Sequence, residues 1–234
     1  MFLTHPEVVS IAETITDWNV IQHFMEPGVV SGEAEDLSEF AGRACYQSFH
    51  KPNPATSDTR DYIRNIIEQG HESVLEHGSV SFYITGVSRS FTHELIRHRH
   101  LSFSQQSQRF VDESESEFVI PPALAELPQN SPAIKAYKQA VFTAQSAYAD
   151  IVTELREQGL ERKQAREAAR AVLPNCQETR IVVTGNHRAW REFLWKRLAP
   201  GADAEIREVS NRLLDELYFV APSMYEDIKE HYDL

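Results

Sequence analysis

Between Ser131-Pro132 and Gly159, apolar residues recur every three or four positions: Ile134, Tyr137, Val141, Ala144, Tyr148, Ile151 and Leu155. That period belongs to a helix, and the run is too long for a strand. Pro is preset for the first helical position and Gly for the stop, so both ends are marked. A chain with such a helix must supply partners that bury its apolar stripe. Helical spacing returns at Leu37, Phe40, Ala41, Ala44 and Cys45, which predicts a helix near 36–48. After the breaker Lys51-Pro-Asn-Pro54, Ser57 reads as an N-cap, with Ile63, Ile66 and Ile67 inward and Gly70 as the stop. Further helices are expected over 88–98 (Phe91, Leu95 and Ile96 inward), over 162–173, from Asn186 as cap to about 198, and over 204–220. Strand signals are few: short runs at 8–15 and 19–24, an alternation at 80–84, and a run at 179–184. Several helices with few, separated strands predict an α+β fold, an antiparallel β-sheet packed with long helices, as one compact domain over residues 1–234.

The formal net charge of -12 argues against general nucleic-acid binding, which runs on neutralising phosphates. No stretch of 18 apolar residues offers a membrane span, and residues 1–13 lack the pattern of a signal peptide, so the cytoplasm is the default expectation. Cys45 and Cys176 are far apart, give neither a disulfide framework nor metal-ligand spacing, and are expected to be small buried hydrophobes.

Against that acidic background, residues 95–111 contain no Asp or Glu but three Arg, two His and three Ser. Arg offers a planar fork of donors suited to phosphate, and Ser and Gln add shorter-range hydrogen bonds, so the reversal marks an anion site. The stretch is expected to start at a helix end and run into a loop, with the acidic 112–117 solvated behind it. On a helix Arg97, His98 and Arg99 would fan out by roughly 100° each, which suggests two anions or one long one.

Other constellations are weaker. His71 and His77 are six apart and His93 and His98 five, neither matching the spacing of four that a zinc helix needs, so no metal site is expected. Glu94 and Arg97 sit three apart, as a surface ion pair or as a pair aimed into a pocket. Of the stripe Arg162, Lys163, Arg166 and Arg170, most reads as a solvated face, with Arg170 the best candidate for a buried role. Trp190, Phe193 and Leu194 read as core, while Asn186 and Arg188 at a helix start favour phosphate. Arg197 has no carboxylate three or four residues before it and is read as free for a ligand. Neither Gly-rich phosphate-loop fingerprint is present. From these residues alone a nucleotide- or RNA-binding module stays open as a second class, with the negative charge against it.

Arg97-His98-Arg99, Ser102, Ser107 and Arg109-Phe110 together resemble the R-H-R-x-x-S-x-x-x-x-S-x-R-Y signature of the flavin-dependent thymidylate synthases, with Phe110 for the usual Tyr. His71, Ser73, Glu76 and His77 match that family's H-x-S/T-x-x-E-H, and Asn186-His-Arg188, Arg197 and Glu205-Ile-Arg207 follow in order. The resemblance implies reductive methylation of dUMP to dTMP, with methylenetetrahydrofolate as carbon donor, NADPH as reductant and FAD as hydride mediator. It also implies a homotetramer with active sites built between subunits.

Carried over by position, the resemblance assigns dUMP to Glu94, Leu95, Ile96, Arg97, Gln105, Gln106, Ser107, Gln108, Arg109, Arg170 and Arg197. It assigns FAD to Ser73, Arg97, His98, Arg99, Gln105, Asn186, His187, Arg188 and Glu192, and sets His71 near the flavin and the folate entrance. Arg197 would hold the uracil ring and favour ionisation at its N3. Glu192 is a departure, since the family more often has Asn or His there. A carboxylate would disfavour an anionic reduced flavin unless it is protonated or turned away. The resemblance also implies no cysteine nucleophile, and neither Cys45 nor Cys176 lies in a motif.

Overall fold

The computed structural model describes residues 2–3, 5–26, 32–51 and 53–234. The first half holds β1 (Phe2–Leu3), β2 (Glu7–Glu13), α1 (Trp18–Ile21), α2 (Glu33–Tyr46), α3 (Thr59–Glu68), β3 (Ser79–Ser88), α4 (Arg89–Leu95), β4 (Ser102–Gln105) and β5 (Phe118–Val119). The second half is helical apart from one strand: α5 (Pro122–Ala125), α6 (Pro132–Glu157), α7 (Arg162–Ala169), β6 (Glu178–Asn186), α8 (His187–Arg197), α9 (Ala204–Val220) and α10 (Glu226–Tyr232).

Four strands form an antiparallel sheet in the order β2-β3-β6-β4, and β1 pairs with β5 in a small parallel ribbon. Val80, Phe82 and Ile84 of β3 and Ile181 and Val183 of β6 face one way and are buried, as the alternation requires. The register slips between Ile84 and Val87, and Gly86 takes up the bulge with φ +68, where a Cβ would lie 2.8 Å from the His5 carbonyl oxygen. Helices α8 and α9 cover the buried face with Trp190, Phe193 and Leu194 and with Ile206, Val209, Leu213, Leu214 and Leu217, all at or near zero exposure. This is the predicted α+β arrangement.

Local caps decide the helix ends. Ser131 Oγ accepts from the Ile134 amide at 3.2 Å and starts α6, which stops before Gly159 at φ +92. Asn186 Oδ1 accepts from the Ala189 amide at 2.8 Å and starts α8.

Several expectations need correction. Residues 19–24 are not a strand: Asp17 accepts from the Asn19 amide at 3.1 Å and caps α1, and a turn follows. The cap of α3 is Asp58, bonded to the Arg60 amide at 3.0 Å, because Ser57 ends a tight helical turn over Pro54–Thr56. Pro52 of the predicted breaker lies outside the described residues. Ile96 is 50% exposed because α4 has ended at Leu95. The expected loop after the basic turn contains β4, which pairs with β6. Glu113 is buried, not solvated. Cys45 is exposed and Cys176 half-buried beside Tyr137, so neither is a buried hydrophobe.

The inward side of α2 is reversed. Glu35, Asp36, Ser38, Glu39 and Arg43 are buried, while Leu37, Phe40, Ala41 and Ala44 are half-exposed. Buried charge survives only when paired, and here Arg43 Nε donates to Glu39 at 2.5 Å and Arg43 Nη2 to the Thr56 carbonyl at 2.6 Å. Thr59 Oγ1 donates to the other Glu39 oxygen at 2.6 Å. The apolar stripe finds aromatic partners instead, with Phe40 5.7 Å from Phe24 and 5.2 Å from Phe49 between ring centroids.

Candidate active site

The basic segment leaves α4, makes a turn over 96–101 and enters β4 at the sheet edge. Leu101 fixes this turn. It is buried over Gly185 of β6, next to Trp190, whose indole N–H donates to the Val80 carbonyl at 3.2 Å. The last turn of α8 then brings up Arg197. Its Nε donates to His98 Nε2 at 2.9 Å, Nη1 to Glu94 Oε2 at 2.9 Å and Nη2 to the Glu94 carbonyl at 3.0 Å. Arg197 is therefore held, not free, and its partners lie 99 and 103 positions away. Neither partner lies within α8, so local spacing carries no trace of them.

His98 is half-buried with its ring edge-on to Phe193 at 4.9 Å. Its pKa is pushed down to about 4, first by burial and then by the charges of Arg197 and Lys196, with Glu192 and Glu94 opposing. It is thus a neutral acceptor near pH 7 and locks one orientation of the Arg197 guanidinium. Glu94 also faces Arg97 at 3.6 Å.

Arg97, His98, Arg99 and Arg197 border one cavity of about 270 Å³. The fan expected on a helix does not apply, because these residues follow the end of α4, and all three of the triplet face one space. A second cavity of about 290 Å³ is bordered by Glu76, Asn186 and Arg188, with Arg188 donating to Glu76 at 2.5 Å. The two cavities adjoin, since His100, Ala189 and Glu192 border both. Glu192 is ion-paired with Lys196, which holds its carboxyl below the usual range. The carboxylate is neither protonated nor unopposed: Lys196 neutralises it.

A third cavity, of about 230 Å³, is bordered by Ile96 together with Arg89, Thr92, His93, Gln105, Gln108 and Arg170. Gln105 is fixed there by donating to Thr92 Oγ1 at 3.1 Å and Thr179 Oγ1 at 3.2 Å. Arg89 is the residue that sequence reasoning missed. Its Nη2 donates to the Gln106 carbonyl at 2.9 Å, while its buried Nε has no partner among the described residues. Burial and the nearby Arg170 both lower its pKa. A signal existed: Arg89 is the first residue of α4, where the helix dipole disfavours a cation, so an Arg there calls for an anion.

The other expected residues fall as follows. Arg170 is exposed and borders this cavity, whereas Arg166 is the buried one, donating to the Phe110 carbonyl at 2.7 Å and to Asp112 at 2.5 Å. The two share a face of the stripe, but α7 ends at Ala169, so only Arg166 points under the loop. Gln106 reaches inward to Glu113, and Arg109 pairs with Glu167 at 3.7 Å. Ser107 Oγ accepts from the Arg109 amide at 3.4 Å. Neither Ser107 nor Arg109 borders these three cavities. The Leu95 side chain is fully buried. His71 and Ser73 are exposed at the tight helical turn over Glu72–Glu76, outside the three cavities. His187 is fully buried, with Nδ1 2.8 Å from the Tyr225 hydroxyl and its pKa pushed down to about 4 by burial, so its ring points into the core.

Comparison with known proteins agrees on kinship. The profile of a family described as "Thymidylate synthase complementing protein" matches residues 29–223. The chain is 52% identical over 200 residues to the flavin-dependent thymidylate synthase of Mycolicibacterium vanbaalenii, covering 82% of this chain and 79% of that relative. It is 53% identical over 200 residues to the protein of the same name from Mycolicibacterium gilvum, with the same coverage. Among solved structures, a UMP/dUMP methylase PolB from Streptomyces cacaoi, bound with 5-Br dUMP, aligns at a TM-score of 0.72 over 96% of this chain and 95% of that one. At 20% identity it speaks for the fold alone.

Proposed function

This chain belongs to the flavin-dependent thymidylate synthase family, and we propose that it makes dTMP from dUMP by reductive methylation. Methylenetetrahydrofolate gives the carbon, NADPH the reducing equivalents, and FAD, when bound, mediates hydride transfer. The observation that carries this reading is the pairing of cation-lined cavities in an acidic protein. Arg97, Arg99 and Arg197 line one and Arg89 and Arg170 the next, with adjacent residues Arg97 and Ile96 bordering one each.

The donor sets fit the groups required. Arg97, Arg99, Asn186 and Arg188 border the two adjoining cavities and suit a long ligand with a pyrophosphate, such as FAD. His98, Glu192 and the backbone around His187 belong to the same wall, while Ser73 and His71 would meet the flavin and folate at the rim. Arg89, Arg170, Gln105 and Gln108 suit the phosphate of dUMP, and the unpartnered Arg89 Nε is a donor in need of an acceptor. Glu94, Ile96 and the backbone of Leu95 would meet the nucleoside between them. Gln106, Ser107 and Arg109 continue the loop, and their place outside the three cavities of one chain fits contacts made across subunits of a homotetramer. The reading takes residues 1–234 as one catalytic domain in the cytoplasm.

Arg197 is the catalytic group in this scheme. Held by Glu94 and His98, its guanidinium is oriented before substrate arrives and can stabilise negative charge developing on the uracil ring. Neither cysteine borders the three cavities, which supports activation of the ring without a thiolate. The purified protein should be yellow, lose its flavin band on anaerobic NADPH addition, and bind dUMP. Arg197→Ala should lose dTMP formation with its fold retained. A colourless protein that fails to take up added FAD overturns the proposal.

A further inference from the structure

We infer that Glu113 and Gln177, buried side chains outside all three cavities, position the loop 105–108 that receives the substrate's phosphate. The inference rests on the reading above that this cavity takes the phosphate of dUMP.

Three members of that loop act at the cavity: Gln105 and Gln108 border it, and the Gln106 carbonyl holds Arg89. Behind them lies Gln177, wholly buried, with Glu113 2% exposed. Gln177 Nε2 donates to Glu113 Oε2 at 2.8 Å and to Ser116 Oγ at 3.0 Å. Gln177 Oε1 accepts from Gln108 Nε2 at 2.6 Å, and Gln106 Nε2 donates to Glu113 Oε1 at 3.4 Å. The Gln177 carbonyl also accepts from the Arg89 amide at 3.0 Å, so the same residue seats both sides of the cavity.

The order of donors follows from the chemistry. A carboxylate offers acceptors only, so Glu113 decides which end of the Gln177 amide faces it. The opposite end is then an acceptor, and Gln108 must turn its NH₂ inward to meet it. A flipped amide would oppose oxygen to carboxylate at one end and NH₂ to NH₂ at the other, deep in the protein where unmade hydrogen bonds are costly. Glu113 also carries the negative charge that most favours the cation of Arg89 against its burial. Gln177 and Glu113 border none of the three cavities, so theirs is a positioning role.

Glu113→Gln keeps size and removes the rule that orients Gln177. In the flavin-loaded enzyme it should raise the KM and Kd for dUMP by about 10-fold, the scale of one buried hydrogen bond left unpaired, with kcat within about 3-fold. Affinity for deoxyuridine, which lacks the phosphate, should not change. Exchanging the two residues, Glu113→Gln with Gln177→Glu, again puts an acceptor opposite Gln108 and should restore most of the dUMP affinity. If the single variant fails to fold, Gln177→Met, which removes the acceptor that Gln108 meets, takes its place, with the same selective loss for dUMP expected. Equal losses for dUMP and deoxyuridine, or no loss for either, would assign the pair to packing and overturn the inference. Wild-type enzyme that binds no dUMP would instead remove the functional reading, and the inference with it.

Discussion

Substituting Gly185 by Ala tests how the fold holds the basic turn. Gly185 pairs with Val80 in ordinary strand conformation, so the cost is one of space alone. A Cβ there would lie 2.3 Å from Leu101 Cδ2, 3.2 Å from Trp190 Nε1 and 3.3 Å from Trp190 Cε2. Ordinary carbon contacts begin near about 3.5 Å, so the Leu101 methyl must retreat by roughly 1.2 Å. Trp190 cannot yield: it is fully buried, hydrogen-bonded to Val80 and edge-on to Phe82 at 5.2 Å. Leu101 therefore moves and carries the end of the 96–101 turn with it. Overpacking of this kind costs roughly 1–3 kcal/mol. For a chain of this length that lowers Tm by about 2–12 °C. Urea titration of Gly185→Ala, of Leu101→Ala and of the double variant gives the coupling. Leu101→Ala alone should cost roughly 2–5 kcal/mol. In that background the Gly185 substitution should cost markedly less, because the clashing methyl is gone and only the tight approach to Trp190 at 3.2 Å remains. Costs that add to within about 0.5 kcal/mol would refute the argument. Flavin retention should fall in Gly185→Ala, since the displaced turn carries Arg97 and Arg99.

His187 gives the chain a pH-dependent stability. Its pKa is about 4 when folded and about 6.5 when unfolded, so the unfolded chain takes up the proton first. Stability is full above about pH 6.5 and falls towards pH 4, by up to about 3 kcal/mol for this group. His98 adds slope of the same sign. Urea midpoints of His187→Leu should vary less with pH across that window than those of the wild type, and an unchanged slope would rule the residue out. Arg197→Lys keeps the charge but offers one nitrogen where three now donate, so dTMP formation should drop at least about 10-fold with Tm moved by less than about 3 °C. Full activity would mean that charge alone matters at this position.

What the sequence made legible was local. Ser131-Pro132, Gly159 and Asn186 act on backbone groups a few residues away, and the helices they bound lie where the spacing puts them. Charged residues in α2 could not be read this way, because Glu39 and Arg43 are buried through Thr59 and Thr56 of later turns. The stripe 162–170 misled for a related reason: which Arg is buried depends on where Phe110 and Asp112 lie. Residues 19–24 look extended only if the cap at Asp17 is overlooked. At the site, the motifs named nearly every cavity-lining cation, but not their grouping. Arg89 stands outside the motifs, and the partners of Arg197 come from another helix.

The bond between α4 and α8 also sets when the site can exist. During synthesis Glu94 and His98 leave the ribosome long before Arg197, so a nascent chain ending at β6 owns the basic turn with nothing to clamp it. Clamping of the cofactor-facing turn thus waits for α8, and bound flavin, having little to hold in the unfolded ensemble, would favour the native state by mass action.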